Sequence, residues 1–197
     1  MKETQRQKQK SQTRKQIIEA ALKQYAKTGL IKTPTIEIAK SAKVSHGTIF
    51  AHFPTQDVLL TEVIEEFGFR VNKRLHELVE GKSTVEEILK AHLEGLTEYE
   101  DFYIRLVSES RLLPPQAQDT VIMIQSAISH HLSRAAEIEM SEGKLKKLPL
   151  HMVFNGWIGL IHYYLTNHDL FSPGESVLKR YGQELTAYYM ALLQVRI

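Results

Sequence analysis

Apolar residues in this chain recur every three or four positions, and no stretch alternates convincingly with the two-residue period of a strand. Ile17/Ile18, Ala21/Leu22 and Tyr25 form one such stripe, predicting a first helix from about Gln12 to Thr28 that Gly29 ends. Thr33 before Pro34 reads as an N-cap with proline at the first helical position, where the missing N–H would be unpaired anyway. A short second helix with Ile38 and Ala39 facing inward follows. A tight turn through Ala42 to Val44 then leads to Ser45, a cap for a third short helix ending near Phe53. Thr55 caps a long fourth helix reaching about Glu80, and Ser83 with Glu86 has capping-box spacing for a fifth bearing Val85, Ile88/Leu89, His92/Leu93 and Leu96. A sixth runs from about Glu100 to Leu112. Pro114–Pro115 starts a seventh with Val121, Ile124, Ile128, His131, Ala135 and Ile138 on one side. Pro149 opens an apolar eighth, and Ser172, Pro173 and Glu175 open a ninth. The expectation is an all-α chain of about nine helices: three compact N-terminal ones, a joining fourth, and a larger C-terminal bundle.

Charge sharpens this division. Residues 1–53 hold eleven Lys/Arg against Glu3, Glu19 and Glu37, a balance of +8, whereas the remainder holds fourteen against twenty, a balance of −6. A basic N-terminal part on a neutral-to-acidic body points toward a polyanionic partner. With no cysteine, disulfides and thiolate metal sites are excluded. No apolar leader precedes the first helix, and the most apolar run, Leu150 to Leu165, is shorter than the ~20 residues a spanning helix needs. A cytoplasmic setting is expected, with no membrane partner.

The segment VSHGTIFAHF, Val44 to Phe53, concentrates the chemistry. His46 and His52 leave a helix on different faces, because six residues advance it by about 240°. No histidine in the chain follows an acidic residue by three positions, and no two lie four apart, so a helical metal site is not expected. Ile49 and Phe53 share a packed face. Ser45, His46, Gly47, Thr48 and Ala51 make the other, polar or small and without acids. Two short helices around a tight turn, the second with one free face, form the helix-turn-helix arrangement whose second helix fits the major groove of B-DNA.

The order of blocks resembles the TetR family of transcriptional regulators. The likeness rests on the amphipathic first helix ending in KTG (Lys27–Gly29), on TPTIEIA (Thr33–Ala39), on VSHGTIFAHF and on PTQDVLL (Pro54–Leu60). It covers residues 10 to 70 and implies a DNA-binding domain there, with the helix-turn-helix at about 34–53, and a ligand-binding and dimerisation domain over 71–197. It further implies DNA contacts from Thr33, Thr35, Ser45, His46, Thr48, Phe50 and His52, with Thr55 and Gln56 touching the backbone; Gly47 and Ala51 allow close approach. Phe50 stands where many members have tyrosine, Gln56 where lysine is frequent, and Lys43 where a turn glycine is common. If Lys43 is left-handed, it costs about 1 kcal/mol relative to glycine.

In the larger part, Leu178, Tyr181, Leu185, Tyr188, Leu192 and Val195 make a seam on the ninth helix, while Gly156 and Gly159 beside Trp157 would admit a neighbouring helix. A homodimer is expected through these, since one short helix offers too few base contacts for specificity. His92, Tyr99, Phe102, Tyr103, Met123, His131, Phe154 and Trp157 are candidates to line a mostly apolar cavity for a small-molecule effector, each also readable as ordinary core. No cofactor and no catalytic residue is expected: there is no Gly-rich phosphate loop and no Gly-x-Ser-x-Gly elbow. The leading expectation is a ligand-responsive repressor released from its DNA operator by a small molecule. A helical protein-binding adaptor is the alternative, but it gives no reason for the charge split to coincide with the helix-turn-helix pattern; a helical enzyme comes third, against which stand the missing Glu-x-x-His pairs and catalytic motifs.

Overall fold

A computed structural model describes residues 4–79 and 84–195. Ten α-helices appear among them: α1 (Gln5–Thr28), α2 (Thr35–Ser41), α3 (His46–His52), α4 (Gln56–Leu78), α5 (Val85–Thr97), α6 (Glu100–Glu109), α7 (Pro115–Ser141), α8 (Leu150–Thr166), α9 (His168–Phe171) and α10 (Val177–Leu193). A 3-10 turn, Ser110–Leu112, extends α6. No strand occurs among the described residues, only an isolated antiparallel bridge between Leu145 and Gln194. The all-α expectation holds.

The differences from the sequence reading lie at helix ends. The first helix starts seven residues earlier than expected, because Thr4 and Gln7 form a reciprocal capping box. The cap of α2 is Pro34, with no side-chain bond; Thr33 is buried and donates to the Gly29 carbonyl instead. Thr84, capping Glu87, is the N-cap of α5, one residue beyond the expected Ser83, which lies outside the described residues, as does Glu80. Ser176, not Ser172, caps α10; Ser172 instead ends the short α9 as its C-cap. Ser45 and Thr55 cap α3 and α4 as expected, each accepting from an N–H three residues on.

The chain divides into two compact units. One comprises the chain to Phe67 together with Asp101–Val121; the other comprises Gly68–Glu100 and the chain from Ile122 onward. Within the first, Ile17, Ala21, Tyr25, Leu30, Ile38, Ile49, Phe53, Leu59 and Ile64 are almost wholly buried. Phe67 packs on Phe102 and Tyr103, with ring centroids 5.0 and 5.7 Å away. Arg105 donates to the Ala26 carbonyl, and the Glu109 carboxylate accepts from the Leu30 and Ile31 N–H groups, both at 2.9 Å. Gly29 is required twice over: its φ is +98°, and an added Cβ would lie 2.6 Å from Glu109 Oε1.

The second unit is built around α5, α8 and α10, with Val85, Leu89, Trp157, Ile161, Leu165 and Val177 at its centre. Two buried carboxylates satisfy helix starts from far along the chain. Glu139 accepts from the Val85 N–H at 2.8 Å, and Glu100 accepts from the Val177 N–H at 2.7 Å and from the Ser176 hydroxyl.

Candidate nucleic-acid interface

The turn between α2 and α3 is a Schellman motif. Val44 N–H bonds the Ala39 carbonyl at 3.0 Å and Lys43 N–H bonds the Lys40 carbonyl at 3.1 Å, closing the carbonyl end of α2. Lys43 holds the left-handed position with φ 53°, the only non-glycine residue with positive φ among those described. Gln16 of α1 anchors the turn by donating to the Ala42 carbonyl at 2.6 Å. Together these bonds fix where α3 points.

On α3, Ile49 and the following Phe53 face the core. Ser45, His46, Gly47, Phe50 and Ala51 are exposed, and Thr48 and His52 are half-buried at the edges. Phe50 is 42% exposed, so much of a large ring stands in solvent, with His46 edge-on to it at 5.1 Å. Ser45 Oγ accepts from Thr48 N–H and lies 2.8 Å from Thr48 Oγ1, so these two hydroxyls are already engaged with each other. Thr55 and Gln56 are exposed at the start of α4. Nothing lies near a Cβ added at Gly47 except Ser45 Oγ at 3.9 Å, so close approach rather than crowding within the chain is what that glycine permits.

Two residues expected on this face turn inward. Thr33 is 1% exposed, and Thr35 is buried with its hydroxyl 2.8 Å from His46 Nε2. Thr35 thereby orients the exposed imidazole from below, a link across eleven residues that no helical spacing announces. The same holds at the far end of α3. Burial, and then the Lys10 and Arg14 charges of α1, hold the His52 imidazole below its ordinary pKa. Arg14 lies over the Phe53 ring at 4.8 Å and pairs with Glu62 of α4.

The candidate pocket residues are divided between the two units. Phe102 and Tyr103 are buried on Phe67 in the first unit. In the second, His92 Nδ1 accepts from the Trp157 indole N–H at 3.1 Å. His131, half-buried, neighbours His76 and His130. Phe154 and Tyr99 are half-buried, and Met123 is 72% exposed on the outside of α7. Burial first, with His162 adding to it, pushes the His92 imidazole down to about 3; burial pushes His162 to about 4.

The seam on α10 also splits. Leu178 and Leu185 are each 3% exposed and pack inside their own unit, and Tyr181 bonds the Phe171 carbonyl. Tyr188, Leu192 and Val195 stay outside, at 56%, 48% and 45% exposure. Spacing of three and four describes more than one stripe on a long helix, and the inward one runs through Leu178, Leu185, Tyr189 and Leu193. Gly159 of α8 is open, whereas a Cβ at Gly156 would lie 2.9 Å from the Tyr189 hydroxyl, which makes that glycine a requirement of the chain's own packing.

Residues 17–63 match the sequence model of the bacterial regulatory proteins of the TetR family, a span that contains the whole α2–turn–α3 geometry. That segment, about a quarter of the chain, is similar to the TetR family. An HTH-type transcriptional repressor of Mycobacterium tuberculosis is 37% identical over 60 residues, 30% of this chain and 32% of that protein. The fatty acid metabolism regulator protein of Bacillus subtilis is 33% identical over 82 residues, 42% of each chain. The matches to the first of these relatives thus span about a third of their length. Beyond the matched segment the likeness is one of fold. The B. subtilis FadR structure in complex with stearoyl-CoA has a TM-score of 0.75 at 20% identity, covering 89% of this chain and 97% of that one. The ketosteroid regulator KstR2 of M. tuberculosis has a TM-score of 0.71 at 17% identity, covering 93% and 95%. No helix among the described residues is long and apolar enough to cross a membrane.

Proposed function

We propose that this chain is a homodimeric transcriptional repressor that binds an operator through the outward face of α3 and leaves it when a small molecule binds the second unit. The observation that carries the reading is a recognition helix fixed by a Schellman turn, with His46, Gly47, Phe50 and Ala51 exposed and no acidic side chain among them. The first unit, to Phe67, would be the DNA-binding part and the second the effector and dimer part. Dimerisation is supported by the outer surface of α8 and α10, where Met152, Tyr163, Tyr188, Leu192 and Val195 stand 45–57% exposed beside open Gly159. A two-fold axis there would present two α3 helices to successive major-groove faces, ~34 Å apart.

The effector is proposed to be apolar or amphipathic. The buried residues of the second unit are chiefly aliphatic and aromatic, and the FadR structure of the same fold carries stearoyl-CoA. Such a molecule acts only by binding the DNA-free form more tightly than the DNA-bound one.

Fluorescence anisotropy on a duplex selected by the protein from a random pool tests the reading. His46→Ala with Phe50→Ala weakens binding at least tenfold, since each specific base interaction is worth on the order of 1–3 kcal/mol. The melting temperature falls by no more than a few degrees, because both side chains are exposed and the loss inside the fold is the bond between His46 and the Thr35 hydroxyl. Unchanged affinity in the folded variant contradicts the assignment. Adding a long-chain acyl-CoA to the wild-type complex is the first effector trial, with release of the duplex the expected result.

A further inference from the structure

The first three turns of α1 have no packing to explain them. Every residue from Thr4 to Gln12 is exposed, and burial begins only at Thr13 and Arg14. Most helical stability in proteins comes from burying a face, yet this stretch has its backbone bonds, the Thr4–Gln7 capping box and the Thr13 hydroxyl bond to the Gln9 carbonyl in place of a buried face. It is also uniformly basic. Between Gln5 and Gln16 stand Arg6, Lys8, Lys10, Arg14 and Lys15, with no acid.

The cations are arranged in rows. Arg6, Lys10 and Arg14 are spaced i, i+4, i+8 and share one face, while Lys8 and Lys15 lie on the opposite one. Like charges four apart repel and destabilise an isolated helix. Of the five, only Arg14 has a carboxylate partner, Glu62, among the described residues. The row ends at the recognition helix: Lys10 and Arg14 both act electrostatically on His52, and Arg14 covers the Phe53 ring.

We infer that the Arg6–Lys10–Arg14 face of α1 is a second DNA-binding surface, gripping phosphates that flank the bases reached by α3. This rests on the DNA-binding reading above but uses different residues. The supporting facts are charge complementarity to a phosphate backbone, continuity with the outward face of α3 through His52, and a helical segment with no other packing. At 1.5 Å per residue the row is about 12 Å long, the length of three to four base-pair steps measured along the duplex axis at about 3.4 Å each. It carries no base-reading geometry, so its contribution is to affinity and salt dependence rather than to sequence choice. It also supplies charge that the uncharged Gln56 does not.

The test is the salt dependence of binding by the full-length protein, read by anisotropy on two fluorescein-labelled 30-base-pair duplexes: one selected by the wild type from a random pool, one scrambled. Arg6→Gln with Lys10→Gln is compared with Lys8→Gln with Lys15→Gln, which removes equal charge from the opposite face. Arg14 is left in place because it also pairs with Glu62. With a slope of about −0.9 per phosphate neutralised, the first pair lowers the magnitude of the log–log slope by about 1.8 on both duplexes. A fourfold rise in salt then weakens the first-pair variant about 12-fold less than wild type. The second pair leaves the slope near wild type, and neither changes the melting temperature much. An unchanged slope in the first pair, or equal losses in both, overturns the inference while the DNA-binding reading stands; failure of the wild type to prefer the selected duplex overturns both.

Discussion

At the scale of single residues, the helix-turn-helix contains one position working against its own chemistry. Lys43 occupies the left-handed site of a Schellman turn, where a Cβ costs about 1 kcal/mol or more and glycine would avoid it. Lys43→Gly therefore raises unfolding free energy by about 0.5–1 kcal/mol, after the extra freedom glycine gives the unfolded chain; a denaturant midpoint that falls instead would show that the lysine side chain makes compensating interactions. Tyr25 is similar: its hydroxyl is buried with no hydrogen-bond partner, and burial, with Asp57 adding to it, pushes its pKa up. Tyr25→Phe removes that polar atom at nearly constant shape, so stability holds or rises by up to about 1 kcal/mol. His92 gives the pH dependence. It is neutral in both states above pH 6.5. Below that the unfolded chain takes up the proton first, since the folded imidazole sits at about 3. Its contribution is thus complete above 6.5 and lost as pH falls toward 3. Urea unfolding at pH 7.5 and 5 should differ by about 2 kcal/mol less in His92→Phe than in wild type; an identical pH difference contradicts neutral burial of this histidine.

At the scale of elements, the periodicity of apolar residues located every long helix, because each buries one face and that face imposes a 3.6-residue repeat. Thr55 and Ser45 were legible as caps because a cap acts within three residues. What spacing could not show were backbone amides satisfied from a distance: the starts of α10 by Glu100 and of α5 by Glu139, and the Leu30–Ile31 turn by Glu109, with partners 54 to 79 residues away. Nothing local marks a carboxylate for such a role. The same limit applied to the candidate site. The exposed face of α3 followed from Ile49 and Phe53 facing the other way, but the inward turn of Thr35 onto His46 did not, nor did the choice between the two stripes of α10. Glu100 gives the element-scale prediction. Glu100→Ala leaves the Val177 N–H and the Ser176 hydroxyl without their buried partner, lowering stability by about 2–3 kcal/mol. A loss under about 0.5 kcal/mol would mean that water or another group takes over the cap.

At the scale of the whole molecule, the proposed repressor needs two recognition helices, and the outer face of α8 and α10 is where a second chain would join. Tyr188→Glu with Leu192→Glu places charge on that face without touching the interior, because both side chains are half or nearly half exposed. Sedimentation equilibrium should then show monomer where the wild type is a dimer, with specific DNA affinity abolished. A wild-type monomer at micromolar concentration would remove this surface from the account. The central claim, that side chains on the outward face of α3 read bases, is tested most directly by anisotropy on the selected duplex and on copies with each base pair changed in turn. Wild type should lose on the order of 1–3 kcal/mol at a few positions, and His46→Ala should lose less at the one its imidazole reads, with the other positions unaltered. Identical penalty profiles for the two proteins, or no penalty at any position, would contradict it.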